Sequence, residues 1–586
     1  MRFAVNESVG PMAGRRSLAG VGPWVWRLAL FVALGCFVAT QFVAWRYHND
    51  AALGPSWGGL YAPWMAFVWG WWWFSADPVT FQQAAGAGLG LAAFSSVLCL
   101  WNRWQAKPGG AIQYLHGSAR WATKADLRKA GLLNGRGPYV GAWRKWRRLQ
   151  YLRAGGDEHL LVIAPTRAGK TVSLVIPTLL NWTESAFILD VKSELWELTA
   201  GWRKEGAHNK VLRFEPAAGT GSCRFNPLDE IRLGSQYDVG DAQNISLLLV
   251  DPDGKGLNDH WSKTAQSLLT GCLLYLCLRA RDGGPPATLP ALDGLLADPA
   301  QPVGQLWQAM NAFPHPTVAA AGRDMLDRPP PEAGSVLSTA KSYLSLYRDP
   351  TVAQNVSRSD FRISDLMNHQ DPVSLYVVTE ATDKVRLRPL VRILANLVLR
   401  RLASGMGFEA GRPKANYKPP LLLMLDEFPT LGRLAIFEEA LAYIAAYGIR
   451  AYIVAQDLSQ IHNAYGKEES ITGNCGIQVA FAPARLETAE HFSRMTGQTT
   501  VIKEEGSRNG SGPNTREIQR PLLTPDELLR LPGMVRDKGG KILLGGDMLI
   551  CPSGFPAVYG CQPLYFLDRE FTKRAAIKAP RRGDLI

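Results

Sequence analysis

His159-Leu-Leu-Val-Ile-Ala-Pro-Thr-Arg-Ala-Gly-Lys-Thr171 is the stretch on which the fold class turns. The apolar run from Leu160 to Ile163 predicts a buried strand, and Val172 to Leu180 suits a helix. Between them stand Ala164, Pro165, Thr166, Arg167, Ala168, Gly169, Lys170 and Thr171. Strand, loop and helix in that order form a phosphate-binding loop, whose backbone N–H groups turn inward beside the positive end of the helix. Gly169 lets the backbone approach a phosphate with no Cβ in the way. Lys170 is expected to reach the β- and γ-phosphates, and the Thr171 hydroxyl to ligate Mg²⁺. Ala164 departs from the pattern, standing where the first Gly is usual. The competing reading is an ordinary strand-to-helix turn.

A second stretch argues against that plain turn. After Pro419-Pro420, Leu421-Leu-Leu-Met-Leu425 runs without a polar residue into Asp426-Glu427. Five apolar residues closed by two acids read as a buried parallel strand delivering carboxylates at its C-terminal edge, where open α/β sheets bind ligands. Asp426 is then placed to hold Mg²⁺, and Glu427 to orient and polarise an attacking water. The alternative role is capping of the chain that follows, near Pro429 and Leu434. Ala451-Tyr-Ile-Val-Ala455 makes a further strand, and Gln456 at its end can sense the γ-phosphate; plain polar capping competes for it as well.

Around these motifs Ala186 to Asp190, Lys210 to Phe214, Ser374 to Val378 and Gln478 to Ala482 also read as strands. Alternation with helices predicts an α/β fold with a doubly wound parallel sheet. Residues 234–368 break the alternation. Asp259 to Arg279 and Ser335 to Tyr347 carry helical spacing, with Pro-rich joints at Pro285-Pro286 and Pro329 to Pro331, so an all-α domain is expected inside the nucleotide domain (115–233 and 369–572). Asp251 to Gly256 reads as a turn and Gly506 to Thr515 as a mobile loop. Lys573-Arg574 onward, residues 573–586, reads as an unstructured basic tail.

Residues 1–114 differ in character. Two apolar stretches, 24–45 and 79–101, approach the ~20 residues a membrane helix needs. Arg2, Arg15, Arg16 and Arg27 precede the first. Arg103, Lys107, Arg120 and Lys124 follow the second, and only Arg46 lies between. That asymmetry puts both termini in the cytoplasm and a short Trp-rich loop (Trp69 to Phe74) outside. Arg144-Lys-Trp-Arg-Arg148 reads as a solvated basic face near the bilayer.

At 586 residues the chain exceeds a single core, and 47% hydrophobic with 20% charged residues suits a globular protein with a membrane portion. A net charge of +13 favours anionic partners, nucleic acid or acidic headgroups. The eight cysteines include no C-x-x-C pair, and they read as small buried hydrophobes in a reducing compartment.

Further runs sharpen the assignment: His116-Gly-Ser-Ala-Arg-Trp-Ala122, Asp190-Val-Lys-Ser-Glu-Leu195, Phe225-Asn-Pro-Leu-Asp-Glu230, Leu425 to Gly432, Ala446 to Ile449 and Gln519 to Asp526. With the phosphate loop, they resemble the TraG-type coupling proteins of bacterial conjugation, relatives of the type IV secretion coupling ATPases. The resemblance implies a RecA-like ATPase domain, an all-α domain, an inner-membrane anchor and a homo-hexameric ring using ATP and Mg²⁺. The partners it implies are single-stranded DNA, a relaxase or relaxosome, and the secretion channel. Two other readings remain: a protein-substrate receptor of a system that exports no DNA, and a nucleotide-binding scaffold without turnover. The chain has Lys192-Ser193-Glu194 where relatives often have Lys-Gly-Glu. Arg450 lies near the place of an arginine finger without being assigned as one.

Overall fold

The structure is a computed structural model that describes residues 22–105, 117–145, 148–404, 407–409, 412–414, 419–505 and 514–585, with the side chains of 22–29, 98–105, 145, 148, 407–409, 412–414, 502–505 and 514–517 excepted. The chain forms two compact units, residues 1–118 and 119–586.

The larger unit is built on an eleven-stranded sheet, its strands numbered here in chain order. They are β1 (Tyr139–Lys145), β2 (Arg148–Arg153), β3 (Leu160–Ile163), β4 (Ser185–Asp190), β5 (Lys210–Phe214), β6 (Val373–Val378), β7 (Leu421–Leu425), β8 (Ile449–Ala455), β9 (Ile477–Ala480), β10 (Asp547–Pro552) and β11 (Val558–Cys561). Across the sheet they run β2-β1-β11-β10-β9-β3-β8-β7-β4-β6-β5. From β9 to β5 every pair is parallel. β3, β4, β6, β7 and β9 are buried at every position, as strands covered on both faces must be.

The sheet is mixed, which corrects the expectation of a purely parallel one. β10, β11, β1 and β2 extend it by antiparallel pairing. Arg144, Lys145 and Arg148 of the basic run lie on the paired strands β1 and β2. Short hairpins need no crossover helix, so their strands escape a reading tuned to strand–helix alternation.

Between β5 and β6 the described chain contains helices and no strand. The principal ones are Asp238–Val250, His260–Arg281, Leu289–Ala297, Val303–Asn311, Pro316–Asp327 and Pro330–Ser342. The Asp259 side chain caps His260–Arg281 by accepting the Ser262 N–H.

The C-terminal residues also depart from expectation. Arg569–Ala575 is a helix capped by Asp568, and the chain beyond it stays on the body. A Cβ on Gly201 would lie 2.1 Å from the Ile577 carbonyl oxygen, so the tail crosses the helix Glu194–Glu205 at a glycine. Asp584 then exchanges bonds with β5: its N–H donates to the Val211 carbonyl, its carboxylate accepts the Val211 N–H, and Lys204 pairs with it at 2.6 Å. Strand β5 is the sheet edge, and covering an edge satisfies backbone groups that would otherwise be open to another strand. Most of the expected loop at 506–515 lies outside the described residues. Asn514 and Thr515 belong to a strand, Asn514–Pro521, paired with Gln498–Glu505.

Among the described residues, the smaller unit holds three α-helices, α1 (Gly22–Arg46), α2 (Met65–Trp73) and α3 (Pro78–Gln105), and a short 3-10 turn, Ala51–Leu53. A Cβ on Gly35 would sit 2.5 Å from the Gly88 carbonyl oxygen, and one on Gly88 would sit 2.6 Å from that of Gly35. α1 and α3 thus meet at bare backbone, the small-residue contact by which apolar helices approach closely. Trp69 is fully buried, with its indole N–H donating to the Leu53 carbonyl, while Trp57, Trp64, Trp71 and Trp72 are exposed. Among the described residues no helix is long and apolar enough to cross a membrane. The expected spans 24–45 and 79–101 therefore correspond to observed helices, without being met as spans, and both extend outside the described side chains.

Candidate nucleotide site

β3, β8, β7 and β4 are consecutive in the sheet, so their C-terminal ends bring together four segments far apart in the chain. β3 delivers the phosphate loop. Ala164 continues the ladder, donating its N–H to the Ala455 carbonyl, and it is fully buried without a left-handed backbone. That explains why Ala serves at this position. The turn comes later: Arg167 has φ +62° and Gly169 φ +92°. The Gly169 carbonyl accepts from both the N–H and the hydroxyl of Ser173. Thr171–Val175 winds as a π-helical turn before Ile176–Leu179. Thr166 and Arg167 are exposed, whereas Lys170 is buried.

Lys170 is buried because it is paired. Its Nζ donates to Glu427 Oε1 at 2.7 Å and lies 3.9 Å from Asp426 Oδ1. Glu427 has a left-handed backbone, φ +61°, which turns the chain sharply after β7. From β8, the Gln456 amide donates to both Glu427 oxygens, at 3.0 and 2.9 Å. The next helix, Leu458–Tyr465, is capped by Asp457, so Gln456 is not the cap. Burial acts to raise the Glu427 pKa, but the Lys170 bond and charge, with the Gln456 bond, outweigh it and hold the carboxyl below its ordinary range. Glu427 is therefore ionised at neutral pH. Asp426 behaves oppositely. Burial pushes it up to about 6, Lys170 opposes this, and Glu427, Asp190 and Glu194 add to it.

The Asp426 Oδ1 atom is buried without a hydrogen-bond partner. An acceptor aimed into the site with no donor fits a cation. Among the described residues no three His, Cys, Asp or Glu side chains cluster as metal ligands. A donor set of one hydroxyl (Thr171) and one carboxylate (Asp426) suits Mg²⁺, which keeps waters and takes substrate phosphates for the rest. The residues present fit MgATP.

Several participants lie beyond the sequence motifs. Gln562, just past β11 and buried, donates its amide to the Ala168 carbonyl at 3.1 Å across 394 residues. Fixing that carbonyl fixes the same peptide's other end, the Gly169 N–H. A Cβ on Gly169 would fall 3.2 Å from Met534 and 3.3 Å from Gln562 Oε1, so the C-terminal segment also closes over the glycine. No local pattern marks Gln562. Ser193, the departure from Lys-Gly-Glu, has φ +59°, a conformation in which Gly would be unstrained. Arg450 points into the fold, donating to the Ala154 carbonyl and pairing with Asp157.

The family described as type IV secretory system conjugative DNA transfer matches residues 120–581. The chain belongs to this family of coupling proteins. It is 49% identical to the conjugal transfer protein TraG of Escherichia coli, over 99% of this chain and 97% of that protein. With VirD4 of Agrobacterium fabrum it shares 31% identity over 78% of this chain and 66% of that protein. The fold is similar to the conjugative coupling protein TrwB lacking its N-terminal segment, with a TM-score of 0.55 at 19% identity, covering 76% of this chain and 92% of that one. A TrwB structure in complex with ADP and Mg²⁺ matches with a TM-score of 0.54 at 17% identity, over 76% and 94%.

Proposed function

We propose that this chain is the Mg²⁺-dependent ATPase that couples single-stranded DNA with its bound relaxase to a type IV secretion channel. The observation carrying this reading is the Lys170–Glu427–Gln456 constellation: a phosphate-loop lysine, a strand-end carboxylate and an amide on the strand between them, each within 3.0 Å of the next. Bound MgATP would bring the electrophilic γ-phosphate and the cation that neutralises it. Lys170 would then exchange its carboxylate partner for phosphate oxygens. That exchange frees Glu427 to orient and polarise water, while Gln456 holds the carboxylate in register and transmits its shift to Leu458–Tyr465. Thr171 and Asp426 would hold the metal. In the same reading, α1 and α3 anchor the protein in the inner membrane with both termini cytoplasmic. The helical segment between β5 and β6 forms the all-α domain, and copies of the chain assemble as a hexameric ring around nucleotide. The uncharged stretch from Val79 to Trp101 and the Gly35–Gly88 contact support the anchor.

The test uses the full chain in detergent, measuring ATP turnover with and without single-stranded DNA, beside Lys170→Ala. Turnover is expected in the wild type, stimulated by DNA and absent from the variant. The variant is also expected to lose plasmid transfer in mating. Wild-type transfer by Lys170→Ala would overturn the reading.

A further inference from the structure

A cavity of about 310 Å³ lies away from the nucleotide site, where the helices after β5 meet the chain that leaves Glu427. Its charged lining is Lys255, Arg392, Arg400 and Arg433 against one acid, Asp251, and Asn244 and Asn396 also face it. Arg392 is 2% exposed. Its guanidinium donates to the carbonyls of Leu431, Arg433 and Asp251, and its Nε is buried with no partner. Among the described residues neither Arg392 nor Arg400 makes an ion pair, and Arg400 Nε is bonded to the neutral Asn396 amide oxygen. Two arginines therefore face one cavity with only neutral hydrogen-bond partners.

The acids nearby are committed elsewhere. Asp251, whose field acts most on Arg392, spends both carboxylate oxygens on the N–H groups of Lys255 and Gly256. Asp253 pairs with Arg388 at 2.8 Å and more loosely with Lys255. Glu438 reaches Arg433 only at 3.7 Å, and Glu439 acts on Arg400 from a distance. A buried cation is stable when an opposite charge completes it, and this cavity sets four cationic side chains against the single carboxylate of Asp251, leaving a positive excess for an anion to complete.

The cavity is also wired to the turn that follows Glu427. Arg392 holds the carbonyls at Leu431 and Arg433, on the segment running out of Glu427. A Cβ on Gly254 would lie 1.9 Å from the Arg433 carbonyl oxygen, so the 251–256 turn and that segment move as one packed seam.

We propose that this cavity binds a phosphate group, and that its occupancy is transmitted to Glu427 through Arg392 and the 431–433 backbone. Planar guanidinium forks match phosphate geometry, and Asn244 and Asn396 add neutral donors. The phosphate comes either from single-stranded DNA threading past the seam or from a free anion such as pyrophosphate. The same side chains would hold either.

Arg400 and Arg433 are exposed enough to change without removing the buried Arg392, so the test uses Arg400→Gln/Arg433→Gln in the full chain. If DNA supplies the phosphate, affinity for a dT 30-mer falls, its logarithmic salt slope shrinks by about 2, and DNA stimulation of turnover is lost with basal turnover kept. If a free anion supplies it, pyrophosphate binds one per chain to Lys170→Ala protein by calorimetry. That binding then disappears when Arg400→Gln/Arg433→Gln is added, and dT affinity is unchanged. Unchanged DNA binding, salt slope and pyrophosphate binding together overturn the proposal. The binding measurements need no turnover, so they stand or fall apart from the ATPase reading.

Discussion

Asp190 and Asp426 end neighbouring parallel strands, β4 and β7, after runs of buried residues. Burial pushes both carboxyls up to about 6. In sequence they look alike, an apolar run closed by an acid. Their surroundings separate them. Asp190 accepts the N–H groups of Lys192 and Trp196, tying the start of Glu194–Glu205 to the sheet. Asp426 has an oxygen with no partner. The first acid is tied into the fold, and the second keeps an open acceptor. A strand-end carboxylate is thus a candidate by position, and its hydrogen-bond partners decide whether it is structural or functional.

The largest expected effect lies one residue beyond Asp426. Glu427→Gln keeps the shape and removes the charge on which Lys170 and Gln456 converge. Turnover should fall ~10²-fold or more while nucleotide affinity survives. Loss of ATP binding in a filter or fluorescence assay would instead make Glu427 a binding residue, and Asp426 would no longer be the distinct ligand-facing acid.

Matched alanine variants test the comparison itself. Asp190→Ala strands two backbone donors and should cost about 2 kcal/mol of stability. Asp426→Ala removes an oxygen with no hydrogen-bond partner and only a loose 3.9 Å ion pair to Lys170, so its melting temperature should stay near wild type while the Mg²⁺ needed for half-maximal turnover rises ~10-fold or more. Equal destabilisation by both, with no change in Mg²⁺ requirement, would erase the distinction.

The pH dependence follows from the raised carboxyls. A folded pKa of about 6 against the ordinary 3.8 means that the native state binds more protons than the unfolded one between those values. The resulting stabilisation is present below about pH 4 and is lost as pH rises through about 6. Mg²⁺ binding runs the other way, strengthening as Asp426 ionises. Melting curves from pH 4 to 7 should therefore be flatter in Asp426→Ala, by at most ~1.4 kcal/mol per pH unit for one group. An unchanged slope would place the Asp426 proton elsewhere.

The smallest effect is expected at Gln562. Gln562→Ala frees the Ala168 carbonyl, so KM for ATP should rise about fivefold, the equivalent of the ~1 kcal/mol of one neutral hydrogen bond, with kcat held. A fall in kcat alone would mean that Gln562 acts on the transition state instead of on loop geometry.

The sequence by itself determined the elements whose signals are local. The run Leu160 to Ile163 before Gly169-Lys170-Thr171, the run Leu421 to Leu425 before Asp426-Glu427, and the helical spacing after Asp259 each declare their structure within a few residues. Backbone preference and hydrophobic period act over that range. The tertiary structure alone decided what depends on partners hundreds of residues away. It seated Gln562 on the Ala168 carbonyl, covered β5 with Asp584 from a tail that composition reads as loose, and added four antiparallel strands to the sheet. It also left one of two similar aspartates with an open oxygen, because hydrogen-bond satisfaction belongs to the packed neighbourhood and is written at no single position in the chain.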